Sequence, residues 1–303
     1  MIYYFSGAYR QDLKRELNIP QLFSQFNERR LIEKTIEYKK EHPEYTAPIF
    51  VDSGAFTAYT KGVKIDIDDY IEFINRTGDY IEVFAELDDV PDPANMDFDK
   101  AETSWKNYLY MIDHVKPEYR DKIIPVFHYG EDFKWLRNML EYKHPDGKHI
   151  DYIGLAISLE GTTKVRISWA NECRRIINES SNPNVKTHAF GVGVKSVLDH
   201  IDVTSTDATS WVKRAAFGMI GVNDRSIYVS DVHREKCDGK HLAFESKALQ
   251  EDVIKIIESR GFTLEELETN PYQRAKFNIL DTIDWVSKLN KDKTLLVKND
   301  LGW

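Results

Sequence analysis

Short apolar runs rich in β-branched and aromatic residues alternate with longer amphipathic stretches along most of the chain, and this alternation restricts the fold more than any other feature. The strand-like runs are Ile2–Phe5, Ile49–Val51, Ile81–Leu87, Ile123–Phe127, Tyr152–Ile157, Thr187–Val192 and Ile201–Thr204. Helix-like stretches lie between them at about 22–41, 66–77, 97–115, 131–142 and 164–178, with a short one near 195–200. Strands separated by helices pair in parallel, and near-continuous apolar strands are buried on both faces. Seven such units, with an eighth strand expected near Ile227–Val229, predict an α/β (β/α)8 (TIM) barrel, whose usual length is close to the 303 residues present. A doubly wound open sheet is the alternative, because strand count alone does not prove closure.

One domain is expected over 1–303, with 212–243 as an inserted loop region and 244–303 as closing helices. Apolar positions at Ala248, Leu249, Val253, Ile256 and Ile257 mark a helix over 245–259, and Gly261 stands where its C-terminal residue would turn left-handed. Thr263 with Glu266 three positions on forms a capping box for the next helix, and a last helix is expected over 272–289. No apolar run approaches the roughly 20 residues that cross a bilayer, and MIYYFSGAYR lacks the pattern of a secretory leader. Only Cys173 and Cys237 occur, which excludes a disulfide scaffold. A cytoplasmic protein is expected. The net charge of −9 weighs against a non-specific nucleic-acid binder.

Catalytic groups of a parallel barrel sit at the C-terminal ends of its strands. At those positions the chain places Asp52-Ser53-Gly54, then Glu86, Asp88 and Asp89, then His128-Tyr129, then Glu160, then Gly191, then Asp207. Acids thus converge on one mouth from four strands. Crowded carboxyls drive their pKa values apart, so that one stays ionised while another keeps a proton. That division suits nucleophile plus acid/base work at a glycosidic carbon. Each Asp also has an ordinary use as a cap or turn residue, and four acids could instead hold a metal. His233, Cys237 and His241 recur every four residues, a ligand spacing on a helix, and whether they bind a metal is left open. Lys213, Arg214, Arg225, Arg234, Lys236 and Lys240 exceed Asp224, Asp231, Glu235 and Asp238 by two, a stretch able to meet phosphates or to serve as an exposed mixed-charge loop.

Five segments in this order resemble the tRNA-guanine transglycosylases (queuine tRNA-ribosyltransferases) and their phage-borne relatives that modify DNA with 7-deazaguanine. Val51-Asp52-Ser53-Gly54-Ala55-Phe56 is similar to the family's DSGGF signature, Ala85-Glu86-Leu87-Asp88-Asp89 to its base-binding Asp segment, and Gly154-Leu155-Ala156 to its GLA turn. Ala189-Phe190-Gly191-Val192-Gly193 is similar to its MGVG strand, and Thr206-Asp207 stands where the nucleophile is kept. The resemblance implies Asp207 as nucleophile and Asp52 as general acid/base. It implies base binding by Ser53, Asp88 (with Asp89 as competitor), the backbone at Gly154 and Leu155, stacking Phe190, and Gly191. His128 stands where the family has a base-binding Gln, and Tyr129 is a second stacking candidate.

The implied activity is exchange of guanine in a polynucleotide for a free 7-deazaguanine such as preQ0, with no organic or metal cofactor. The family's three-Cys, one-His zinc site has no counterpart, which shifts the expected polynucleotide partner from tRNA toward DNA. The remaining readings are an N-glycosidase or base transferase acting on free nucleosides or nucleotides, and a catalytically silent barrel that only binds. The oligomeric state is open, a homodimer included.

Overall fold

The computed structural model describes residues 1–90, 99–157, 161–223 and 225–300. Its contacts divide the chain into two compact units, Met1–Ala208 and Thr209–Trp303.

Among the described residues the first unit is built on nine parallel strands: β1 (Ile2–Ser6), β2 (Gln21–Ser24), β3 (Ile49–Asp52), β4 (Val83–Ala85), β5 (Ile123–Ile124), β6 (Val126–His128), β7 (Tyr152–Ala156), β8 (Lys186–Ala189) and β9 (Ser205–Ala208). Their hydrogen-bonded order is β5-β4-β3-β2-β1-β9-β8-β7-β6. The two outermost strands, β5 and β6, are consecutive in the chain and separated only by Pro125, so the sheet returns on itself as a (β/α)8 barrel. β5 pairs with β4 through Phe84 and Ile123, and β6 pairs with β7 through Val126 and Gly154.

Pro125 has no N–H, and the ladder breaks there. The buried Glu86 bridges the break: its N–H donates to the Ile124 carbonyl, and its Oε1 accepts from Val126 N at 2.6 Å. Inside the barrel pack Tyr4, Leu22, Phe50, Val83, Ala85, Ile124 and Val126, one or two from each of six strands. Helices Gln25–Glu41, Ile67–Thr77, Asp99–His114, Phe133–Glu141 and Thr163–Asn178 follow successive strands.

Three strand expectations need correction. The second stave is Gln21–Ser24, which overlaps the start of the stretch at about 22–41 expected to be helical. It is four residues long and begins with a fully buried Gln21, whose amide hydrogen-bonds the Tyr45 hydroxyl, so it shows neither apolar continuity nor a period. The last stave is Ser205–Ala208, not Ile201–Thr204. Its polar Ser205, Thr206 and Asp207 are all buried. Residues Ile227–Val229 supply no barrel strand. Instead Arg225–Tyr228 (β11) pairs antiparallel with Met219–Val222 (β10) in a separate hairpin.

The second unit holds that hairpin, helix Ser210–Ala216, and helices Lys247–Ser259, Leu264–Thr269 and Pro271–Asp300. The stretch 212–243 therefore contains regular structure. Ile220, Val222, Ile227, Val229, Val253, Ile257 and Phe277 share its core, and the Asn278 side chain takes the Gly221 N–H while donating to the Trp211 and Met219 carbonyls. The Thr263–Glu266 capping box forms in both directions, and Gly261 adopts a φ of +79°. No described helix is long and apolar enough to cross a membrane.

Candidate active site

Because side chains alternate along a strand, the residues sharing a face with Tyr4, Phe50 and Val126 point into the barrel. That face carries Ser6 on β1, Asp52 on β3 and His128 on β6, each at its strand's last residue. Asp207, the third residue of β9, also enters the mouth: its Oδ2 accepts from Ser6 Oγ at 2.6 Å and its Oδ1 from Gly191 N at 2.7 Å. The two donors come from opposite neighbours of β9, and they fix the carboxylate plane.

Asp52 is half-buried at the end of β3. Burial, reinforced by the charges of Asp88 and Asp207, pushes its carboxyl up to about 7. One acid of the mouth therefore keeps its proton near neutrality, as crowded carboxyls require. After it the chain turns sharply through Gly54, at φ +84°. A Cβ there would lie 2.5 Å from Ser24 Oγ and 2.6 Å from Phe26 Cβ, so glycine is required for the β3 loop to pass β2.

Ser53 is fully buried, and its hydroxyl donates to Asp88 Oδ1 at 3.3 Å. Asp88 Oδ2 lies 2.8 Å from His128 Nε2, while His128 Nδ1 lies 3.0 Å from Glu131 Oε1. Glu131 Oε2 also accepts the His128 N–H. Burial disfavours a charged imidazole, but hydrogen bonds to the two carboxylates outweigh it and lift His128 to about 10. His128 is thus an imidazolium that donates from both nitrogens, which distinguishes it from a neutral base.

Phe190 is half-buried after β8 and lies against Phe50 and His188. Gly154 makes room for it, since a Cβ at that position would meet Phe190 Cε2 at 2.5 Å. The structure therefore gathers Asp52, Ser53, Asp88, His128, Gly154, Phe190, Gly191 and Asp207 around one barrel mouth. Two other expected residues turn elsewhere. Asp89 is directed to the Asp99–His114 helix, where it meets Lys100 Nζ at 3.6 Å and Ser104. Tyr129 is 41% exposed and packs edge-on against Trp169. Leu155, expected to act through its backbone, has its side chain buried on the strand face opposite Gly154. Glu160 lies outside the described residues.

Two residues of the mouth, Ser6 and Glu131, have no place in the sequence expectation. Ser6 obeys the strand-end rule, and the His128-x-x-Glu131 spacing is a local signal. Lys14, fully buried, braces the end of β1: its Nζ donates to the carbonyls of Phe5 and Gly7, on either side of Ser6. Burial lowers its pKa to about 7.

The chain matches no protein-family model and no curated protein. Among the described residues no group of His, Cys, Asp and Glu is arranged to hold a metal ion. His233, Cys237 and His241 do not share a helix face: the 3-10 turn Asp231–Lys236 ends before Cys237, whose thiol points at the Arg234 carbonyl, and His241 Nδ1 accepts from Ala243 N.

Proposed function

We propose that the protein is a base-exchange glycosyltransferase that replaces guanine in a polynucleotide, DNA ahead of tRNA, with a 7-deazaguanine base such as preQ0. The observation that carries this reading is the unequal acid pair at one mouth, an Asp207 gripped by two donors and an Asp52 that retains its proton to about 7.

Departure of guanine builds positive charge on the sugar. Asp207 answers it by attacking C1′; an ester bond forms as the C1′–N9 bond breaks, and the bonding pair leaves with the base. Asp52 supplies the proton that the departing base needs. The incoming base then loses a proton to Asp52 and attacks C1′, and Asp207 leaves as carboxylate. Asp88, oriented by Ser53 and His128, accepts from the N1–H and exocyclic amine of a guanine-like base. A site built for two donors rejects adenine, because the unmatched buried acceptor is costly. Phe190 offers a face on which the extruded base stacks. Four of the five segments that resemble the transglycosylases contribute Asp52, Ser53, Asp88, Phe190 and Asp207, and His128 lies outside them.

The test incubates the protein with labelled guanine or preQ0 and either DNA or tRNA. Label is expected to enter the polynucleotide, and denaturation of the mixture is expected to trap a protein–nucleic acid adduct that Asp207→Ala abolishes. Unchanged guanine release in both Asp207→Ala and Asp52→Ala ends the proposal.

A further inference from the structure

A buried run of polar groups lies beneath Asp207. Tyr152 on β7 hydrogen-bonds through its hydroxyl to Ser205 Oγ on β9, and Ser205 Oγ in turn meets His188 Nδ1 on β8. The other ring nitrogen, His188 Nε2, has no hydrogen-bond partner among the described residues, and the Asp207 Oδ1 atom lies 3.4 Å from it. His188 and Ser205 are completely buried. Three aromatic rings, Phe190, Phe50 and Tyr4, enclose the imidazole at centroid distances of 4.4, 4.5 and 6.0 Å. Burial lowers the His188 pKa, against the opposing pull of Asp207, so the ring is neutral.

A neutral imidazole carries one N–H, and its neighbours decide where. With the proton on Nδ1, the ring would donate to Ser205 and turn the Nε2 lone pair toward the Asp207 carboxylate. Two acceptors would then face each other in a buried interior, which is unfavourable. With hydroxyl protons running from Tyr152 to Ser205 and from Ser205 to Nδ1, the ring proton sits on Nε2 and faces Asp207 Oδ1. The two hydroxyls and Nδ1 are then paired, and the Nε2–H faces an acceptor instead of opposing one.

We propose that His188 is a positioning residue whose Nε2–H is aimed at Asp207 Oδ1, its tautomer held by the Tyr152–Ser205 hydroxyl pair. The catalytic consequence rests on the reading of Asp207 as nucleophile; the tautomer does not. Oδ1 then takes the Gly191 N–H hydrogen bond and faces the His188 Nε2–H at 3.4 Å, which leaves Oδ2, the oxygen held by Ser6, as the one that bonds C1′.

Two measurements test the proposal separately from the base-exchange reading. In 15N-histidine-labelled full-length protein at neutral pH, with His188 assigned from its loss in His188→Gln, Nε2 is expected to be protonated and Nδ1 to be an acceptor. Ser205→Ala is expected to release that tautomer into a mixture. A His188 found as the Nδ1–H tautomer or as imidazolium overturns the proposal, whatever the protein catalyses. In the exchange assay, Ser205→Ala and Tyr152→Phe are expected to slow adduct formation about tenfold with KM unchanged. His188→Gln, which keeps an N–H within reach, is expected to retain more rate than His188→Leu. Equal rates in those two variants would also overturn it.

Discussion

Asp88 Oδ2 and His128 Nε2 stand 2.8 Å apart at the mouth of the barrel, and Glu131 closes the other side of the same ring. The imidazole is thereby clamped as a cation. His128→Gln removes the charge and leaves two acids facing each other, so a stability loss of about 3 kcal/mol is expected, the size typical of breaking a buried pair. The pH dependence has a definite sign. The folded pKa of about 10 is above the ordinary histidine value of 6.5, so the clamp's contribution is complete below about 6.5 and is lost as pH rises toward 10. Urea unfolding of wild type and His128→Gln from pH 6 to 10 checks this. A gap that widens with pH would contradict the clamp.

Asp52 shows the opposite face of the same linkage. Its folded pKa of about 7 exceeds the ordinary aspartate value of 3.8, so the folded state binds the extra proton between those values and stability falls as pH rises through them. Asp52→Asn is therefore expected to stabilise the protein by about 2 kcal/mol at pH 8 and by little at pH 4. Its exchange activity is expected to fall at least about 100-fold. In wild type, kcat/KM is expected to decline above pH 7, where the acid loses its proton. Denaturant melts at the two pH values and a pH-rate profile measure both effects.

Glu86 is expected to behave as a neutral group. Burial raises its pKa well above 4.5, and the buried side chain accepts the Val126 N–H across the Pro125 break. Glu86→Gln preserves that acceptor and is expected to cost under about 1 kcal/mol, whereas Glu86→Leu strands the Val126 N–H and is expected to cost about 1–3 kcal/mol. Thermal melts of the two variants, side by side, distinguish a seam-bridging role from a charged one.

The placement of these groups explains what is legible in the sequence. Asp52, Asp88, His128 and Asp207 can be found from the strand-end rule because parallel barrels expose those positions to the mouth. The barrel itself follows from the alternation of apolar runs and amphipathic stretches. Its second and last staves do not, because Gln21, Ser205 and Asp207 are polar residues buried by partners on other elements. Local pattern does not record partners that lie 24, 17 or 201 positions away. Asp89 illustrates the converse. Adjacent to Asp88 and equal to it in type, it is separated from it only by the alternation of direction along the chain and by the nearby Ser104 and Lys100.

Ser6 is expected to matter for rate more than for binding. Its hydroxyl donates to Asp207 Oδ2, and Lys14 holds the carbonyls on either side of it. Loss of one donor to a reacting carboxylate is expected to lower kcat about tenfold in Ser6→Ala, with KM for the polynucleotide unchanged and with the fold intact by circular dichroism. A rise in KM alone would assign Ser6 to substrate binding instead.

Gly154 is expected to control the base platform. Its missing side chain leaves the space that the Phe190 ring fills, and the 2.5 Å clash of an added methyl falls on Cε2, at the edge of the ring. Phe190 can give way only by rotating off Phe50 and His188, which it touches at 5.7 and 4.4 Å between centroids. Overpacking of this kind costs about 1–3 kcal/mol, and the displaced ring no longer presents the same face to a base. Loss of a stacked base contact is worth about 1–3 kcal/mol, so Gly154→Ala is expected to raise KM for the incoming base about tenfold while adduct formation with saturating polynucleotide changes less. Phe190→Leu, which removes the stacking face and relieves the clash, is expected to restore stability to the Gly154→Ala variant without restoring base affinity. If the double variant regains affinity as well, the ring is packing and not a platform.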